Sequence, residues 1–429
     1  MLYCMYADFF INFIITHSGS IDGLDNLTEH FLIPSKIVFM MQRVYLAPYG
    51  VGLGHASRLL ILAENIKRPG IEMRFSSFGE ARNYIQRQGF ECEKVPPVEF
   101  MWGKNGQFSV ISNINKIPQW LLNLPVQVNK EIKYMKKFNP QIMISDSRLS
   151  PLIAARLLNI PKILIINQIK LLLTPRLREF KAGRFFETCN GELMGGIWKM
   201  SDRILIPDLP PPYTISESTI NSVKSIKAKL DYVGFVTPRE KITENSLSKA
   251  KAALQFDNGK PLVFVHISGP TGTRIPIIMK LIDVFKKQPS IQFVFSEGKS
   301  NGSVVPRKIS SNMWYFEWCP YKDEIFFLSD VIIMRGGHTA ISQAIQYGKP
   351  IVSIPIESHG EQLSNSSKIE RLGIGITIDS KTMNQITLID TLNELICNSS
   401  YEDRILNLMK ISNKLDGIQN IKDIVLSYI

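Results

Sequence analysis

The chain has 429 residues and a formal net charge of +12, with 45% hydrophobic and 21% charged residues. That length suits two domains of about 200 residues better than one, and that composition excludes a mostly disordered protein. No apolar run reaches the roughly 18 residues a membrane-spanning helix needs, and the scattered Cys4, Cys92, Cys189, Cys319 and Cys397 form no C-x-x-C. Neither a disulfide framework nor a zinc ribbon is indicated, and a reducing, cytoplasmic interior is the default.

The charge is unevenly placed. Residues 101–200 hold 15 Lys and Arg against 5 Asp and Glu, while the rest of the chain is nearly balanced. A chain-wide basic bias would point to nucleic acid; a local one does not. It reads as one basic face, either simply solvated or turned to an anionic substrate or an anionic membrane surface.

Residues 1–40 differ from the rest of the chain. No Lys or Arg precedes Lys36, so the apolar stretch Phe9–Ile15 lacks the positive flank of a signal peptide. This segment is expected to be a poorly structured extension, or the product of a start codon placed too far upstream, with the folded protein beginning near Met41. A membrane-surface anchor is the rival reading.

From Arg43 short apolar runs alternate with helix-like segments. The runs Val44–Ala47, Met73–Ser76, Ile142–Ser145, Ile163–Ile166, Ile204–Ile206 and Tyr232–Val236 read as strands of one half. Leu262–Ile267, Ile291–Ser296, Met313–Phe316, Val331–Met334 and Ile351–Ile354 read as strands of another. Unbroken β-rich runs indicate strands buried on both faces of a parallel sheet. The expectation is an α/β chain of two similar halves, residues 41–236 and 251–400, joined by a polar linker over 237–250.

In open α/β sheets ligands bind beyond the carboxyl ends of the strands, so the residues following each strand carry the chemistry. The first strand runs into Pro48-Tyr49-Gly50-Val51-Gly52-Leu53-Gly54-His55-Ala56-Ser57-Arg58. Its glycines allow close backbone approach, and the helix after them offers free N–H groups to an anion. The spacing is not a dinucleotide fingerprint, and no P-loop occurs. Gly52, Gly54 and Arg58 are candidates for an acceptor or phosphate loop. His55 is either a general base or a helix-terminal histidine bonded to nearby backbone. Asp146, after the strand Ile142–Ser145, either orients that imidazole or caps a helix.

The second half offers Ser268-Gly269-Pro270-Thr271, a small-residue turn with N–H groups for a phosphate. Trp318-Cys319-Pro320 places an aromatic side chain beside a loop-forming proline, suited to stacking on a base or simply to a core. The strand Val331–Met334 ends in Arg335-Gly336-Gly337-His338-Thr339, a fixed cation, two bare backbone units and a helix N-terminus. That pattern is hard to explain without an anion. Glu361 and Gln362 suit sugar hydroxyls or a helix's first turn.

At these residues the sequence resembles glycosyltransferases of the GT-B fold, in which two Rossmann-like parallel-sheet domains face each other across a cleft. The first loop, GxGxGHxxR, is similar to that of family 1/family 28-type transferases. The second half resembles the C-terminal domain shared by UDP-glycosyltransferases and the peptidoglycan N-acetylglucosamine transferase. The resemblance implies an inverting, metal-independent transfer from a nucleotide-diphosphate sugar, needing no cofactor, to an acceptor hydroxyl that is lipid-linked or in the cell envelope. It implies His55 as base and Asp146 as its orienting partner, Trp318 on uracil, the Arg335–Thr339 turn on phosphate, and Glu361-Gln362 at the donor sugar. It also implies C-terminal helices over residues 401–429 that pack back across the hinge. Two positions depart from the family pattern: Tyr321 stands where Gln is usual, and Gln343 where a ribose-binding Glu is usual. The nucleotide base is therefore left open.

The basic surplus falls in the acceptor half, where apolar Ile117–Leu124 precedes Lys130, Lys133, Lys136 and Lys137. This segment suits either peripheral contact with an anionic membrane or an ordinary amphipathic helix. Two other functions fit the same fold: a nucleotide-sugar epimerase and a non-catalytic nucleotide-sugar-binding subunit.

Overall fold

The computed structural model describes residues 41–97, 116–237, 242–269 and 271–429, so the extension expected over residues 1–40 lies outside it. The first half runs β1 (Gln42–Pro48), α1 (Gly54–Ile66), β2 (Ile71–Ser77), α2 (Gly79–Arg87), β3 (Cys92–Lys94), α3 (Ile117–Phe138), β4 (Ile142–Asp146), α4 (Leu149–Leu157), β5 (Lys162–Ile165), α5 (Pro175–Arg178), α6 (Lys181–Trp198), β6 (Arg203–Ile206), α7 (Glu217–Ile220) and β7 (Leu230–Tyr232). The second half runs α8 (Glu244–Leu254), β8 (Leu262–His266), α9 (Thr271–Phe285), β9 (Gln292–Ser296), β10 (Arg307–Ser310), β11 (Met313–Phe316), α10 (Lys322–Leu328), β12 (Val331–Met334), α11 (His338–Gln346), β13 (Ile351–Ser353), α12 (Gly360–Leu372), β14 (Gly375–Thr377), α13 (Gln385–Cys397), α14 (Ser399–Ser412) and α15 (Gly417–Leu426).

Each half builds one sheet, ordered β3-β2-β1-β4-β5-β6-β7 and β10-β11-β9-β8-β12-β13-β14. The first sheet is parallel throughout. Its central strands β1, β4, β5 and β6 read as largely apolar runs because both faces are covered. In β1, Val44 and Leu46 enter the core beneath α1, while Tyr45 and Ala47 enter the core beneath α3 and α4. The second sheet departs from the parallel expectation at one edge. There β10 pairs antiparallel with β11 across a tight turn, and Asn312 anchors that turn on Gln288 O (2.7 Å) and Ile291 O (2.9 Å).

Two expected boundaries move. The strand expected over Tyr232–Val236 ends at Tyr232, because Gly234 turns the chain at φ 94 although Val233 and Phe235 stay buried. The linker expected over 237–250 is helical from Glu244. Thr243 Oγ1 accepts from Ser246 N (3.1 Å) while Ser246 Oγ accepts from Thr243 N (3.1 Å), a reciprocal cap that starts α8.

The C-terminal helices divide between the halves. Ile405 and Leu408 of α14 lie in the second half's core with Ile341 and Ala344. After Asp416 caps α15, Ile421 and Val425 enter the first half's core with Leu59 and Leu62. Asn420 Nδ2 donates to Val233 O (2.8 Å), fixing that return beside the inter-domain connection. Ile421→Ala is expected to cost about 2–5 kcal/mol, the range for a buried Ile truncated to Ala. Denaturant unfolding monitored by circular dichroism would read this as a lower midpoint.

Candidate active site

The register of the first sheet sets Pro48 of β1 beside Asp146 of β4, and Tyr49 N donates to Asp146 O (3.0 Å). The loop after β1 brings His55, on the first turn of α1, over the carboxylate. His55 Nδ1 lies 2.7 Å from Asp146 Oδ1. Asp146 is fully buried, and burial alone would raise its pKa. The charges of Arg58 and His55, with hydrogen bonds from His55 and Ser147, hold it below the usual carboxylate range instead. An ionised carboxylate only accepts, so Nδ1 carries the imidazole proton and Nε2 is the basic atom.

The loop's three glycines serve different ends. A Cβ on Gly50 would sit 2.3 Å from the Phe78 ring, and one on Gly54 would sit 2.8 Å from Thr339 Oγ1 of the second half. Gly52 has φ 73 and open space around it.

Between the halves lies a cleft of about 530 Å³. His55 and Gly52 border it from the first half; Trp318, Arg335, Thr339 and Gln343 border it from the second. A second cavity of about 370 Å³ adjoins it, walled by apolar Ile166, Leu171, Leu172, Trp198 and Ile356. Both cavities are bordered by His55, Asn167, Gly269, Glu361 and Gln362. The imidazole thus stands where the two meet.

Arg335 is only 7% exposed, and its Nε is buried without a hydrogen-bond partner. Burial pushes the guanidinium down to about 10. An uncompensated buried cation at the foot of a helix N-terminus is the electrostatic signature of an anion site. Further along the cleft His266 is held neutral, pushed down to about 3 by burial and by Lys322 nearby.

The comparisons agree with this architecture. The model of the glycosyltransferase family 28 C-terminal domain matches residues 277–422. A glycosyltransferase of Methanosarcina acetivorans, described as uncharacterised, is 29% identical over 388 residues, covering 88% of this chain and 96% of its own. The UDP-N-acetylglucosamine–N-acetylmuramyl-(pentapeptide) pyrophosphoryl-undecaprenol N-acetylglucosamine transferase of Clostridium botulinum is 25% identical over 390 residues, covering 87% and 96%. Among solved structures, a Streptomyces glycosyltransferase complexed with thymidine diphosphate superposes with a TM-score of 0.60 at 14% identity, covering 90% and 99%. The chain is a glycosyltransferase of the GT-B fold, similar to those of families 1 and 28.

Most positions singled out in the sequence of this transferase meet at the cleft, and four do not behave as expected. Arg58 turns from the loop to Asp146, its Nη1 2.9 Å from Oδ2, and is 2% exposed. Thr271 is exposed at the start of α9 and does not border either cavity. Arg274 Nη1 reaches back to Gly269 O (2.6 Å), so Gly269 rather than Thr271 forms the cleft's edge. Gly336 lies behind the site, where a Cβ would be 2.4 Å from Gln362 O. His338 borders the cleft, but its Nε2 is 3.1 Å from Asp208 Oδ2 of the first half.

Sequence reasoning passed over Asp208, Asn167 and Tyr84. Asp208 anchors the loop after β6, accepting from Leu209 N (2.8 Å), Ile215 N (3.1 Å) and Ser216 N (2.9 Å). Asn167 Nδ2 donates to Glu361 Oε1 (3.4 Å) across the halves. The Tyr84 ring on α2 lies 5.8 Å from that of Trp318. The rule that sites follow strands reaches Asp208 and Asn167, since each sits just beyond β6 or β5. Nothing local in the sequence marks Tyr84.

Replacing Arg335 by Met removes a buried uncompensated charge. Thermal unfolding of the ligand-free protein is expected at a higher temperature. Calorimetric binding of pyrophosphate-bearing anions is expected to weaken by about 10–100-fold, matching the roughly 1.5–3 kcal/mol of a charged hydrogen bond.

Proposed function

We propose that the protein is an inverting, metal-independent transferase that moves a sugar from a nucleoside-diphosphate donor to a hydroxyl of an acceptor with an apolar body. The observation that carries this reading is the position of His55, which borders both cavities with Asp146 fixed at its far nitrogen. In this reading the larger cleft takes the donor. Trp318 faces the base, Gln343 the ribose, and Arg335 with the N–H groups at Gly337–Thr339 the diphosphate. Glu361 and Gln362 lie beside the sugar, and Gly52, Gly54 and Gly269 edge its path. Uridine and thymidine diphosphates both suit it: a relative's name specifies a UDP-sugar, and a structural neighbour binds thymidine diphosphate.

The acceptor hydroxyl enters from the apolar cavity. Its proton passes to His55 Nε2 as its oxygen forms a bond to the anomeric carbon. The bond from that carbon to the diphosphate breaks on the opposite face, and its electron pair leaves with the phosphate oxygen. The imidazolium so formed is stabilised by Asp146. The leaving diphosphate is stabilised by Arg335 and the fixed N–H dipoles, without call on a metal. His55→Ala is expected to abolish transfer while leaving donor affinity intact. Asp146→Asn is expected to lower kcat by about 10²–10⁴-fold. Acceptor-dependent release of the nucleoside diphosphate, followed by chromatography, checks both. Undiminished release by His55→Ala would refute the assigned base, and a donor sugar altered without any acceptor would mean epimerisation.

The acceptor cavity opens beside an apolar surface on which Leu177, Phe180, Phe185 and Leu193 are 40%, 65%, 71% and 64% exposed, with Leu171 at the cavity mouth. Arg176, Lys181 and Arg184 stand among them. This mixture suits the face of an anionic membrane carrying a lipid-linked acceptor, the kind of acceptor named for the Clostridium relative. Residues 117–137 offer a comparable mixture: Leu122 is 75% exposed and Lys130, Lys133, Lys136 and Lys137 are solvated. No helix among the described residues is long and apolar enough to cross a membrane, so contact would be peripheral. Phe180→Ser/Phe185→Ser is expected to weaken sedimentation with phosphatidylglycerol vesicles, and added salt to weaken it further. Equal sedimentation of both proteins would remove this partner.

A further inference from the structure

Arg58 and His55 lie three residues apart on α1, on one face of the helix. Both reach the same carboxylate from that face: His55 Nδ1 is 2.7 Å from Asp146 Oδ1, and Arg58 Nη1 is 2.9 Å from Oδ2. Arg58 and Asp146 are 3% and 0% exposed at their side chains, while His55 is 25% exposed. The cluster is therefore a buried ion pair with an imidazole at its open end. A base working against a lone buried carboxylate would bind its proton tightly and return it poorly. A carboxylate already neutralised by a guanidinium still fixes the tautomer but attracts the proton less.

We propose that Arg58 is a positioning residue that keeps Asp146 ionised and aimed at His55, and thereby sets the pH below which the dyad is protonated and transfer stops. The inference rests on the reading of His55 and Asp146 as the base and its partner. Removing one positive charge makes the cluster take up a proton more readily, whichever atom receives it. The sign does not depend on how the proton is shared. Other groups facing the dyad are Tyr49, whose ring meets His55 edge-on at 5.8 Å, and Ser147. Glu80, Glu361, Arg335, His338 and His359 line the same cavities. All are retained when Arg58 alone is changed.

The test is an imidazole NMR titration of the full chain, with the His55 signal assigned by its loss in His55→Ala. In Arg58→Met the midpoint is expected to move to higher pH by about one unit. In Arg58→Lys, which keeps the charge, it is expected to stay near wild type. The acidic limb of kcat against pH should move with it while the donor KM is unchanged. A midpoint in Arg58→Met that superposes on wild type overturns the proposal. Should Arg58→Met fail to fold, Arg58→Gln, which keeps a hydrogen-bond donor for Asp146 but not the charge, takes its place in the same titration, and a midpoint superposing on wild type overturns the proposal. Full transfer by His55→Ala would instead sink the underlying reading, whatever the titration shows.

Discussion

A single buried carboxylate organises the first half's working end. Asp146 sits at the last position of a central strand, where the parallel register sets it against Pro48 and the sheet excludes water. A charge in that place demands partners, and α1 supplies two from one turn, His55 and Arg58. The glycine loop must therefore take a path that delivers the helix start to the carboxylate. The close contacts at Gly50 and Gly54 are consequences of that path.

The second half presents the complementary problem. Arg335 is buried on the other side of the cleft without a partner for its Nε, a cost that an anion in the cleft would offset. The free protein nonetheless holds the halves together through polar struts. Lys368 and Arg371 of α12 both meet Glu217 of α7, and Asn167 meets Glu361. Polar contacts exchange readily with water, so such an interface resists opening less than an apolar one of the same size. The buried apolar cores are not wholly separate: Leu209, Ile215 and Phe235 of the first half join the second half's core, and α15 returns to the first half's core.

Much of this was legible in the sequence because parallel strands buried on both faces leave unbroken apolar runs, and because sites follow strand ends. That rule singles out His55, Arg335, Glu361 and Gln362, which border the cleft, and Asp146, which lies beneath His55. Strands of three or four residues such as Cys92–Lys94, Arg307–Ser310 and Gly375–Thr377 were not legible, since runs so short carry no period. The partner of Arg58 is hidden from the sequence for a different reason, although the residue does border the cleft. Its place in the loop suggested a ligand, but the charge it meets lies 88 residues away. Tyr84 shows the same limit, since its neighbour Trp318 belongs to the other half.

The structure contains a second pairing of the same residue types, and the contrast shows why composition alone does not define a base. Asp208 comes after β6 much as Asp146 ends β4, and its own histidine, His338, starts a helix as His55 does. Burial acts to raise Asp208, yet His338 and Ser216 hold it below the usual carboxylate range. But His338 is 4% exposed at its side chain and spans the two halves, with its Nε2 turned to the carboxylate. A substrate hydroxyl has no approach to that nitrogen. His55 turns Nδ1 inward, leaves Nε2 on the cleft side and is 25% exposed where two cavities meet. On the proposed reading of His55, what separates it from the strut His338 is which nitrogen faces the acid and whether the other meets open space.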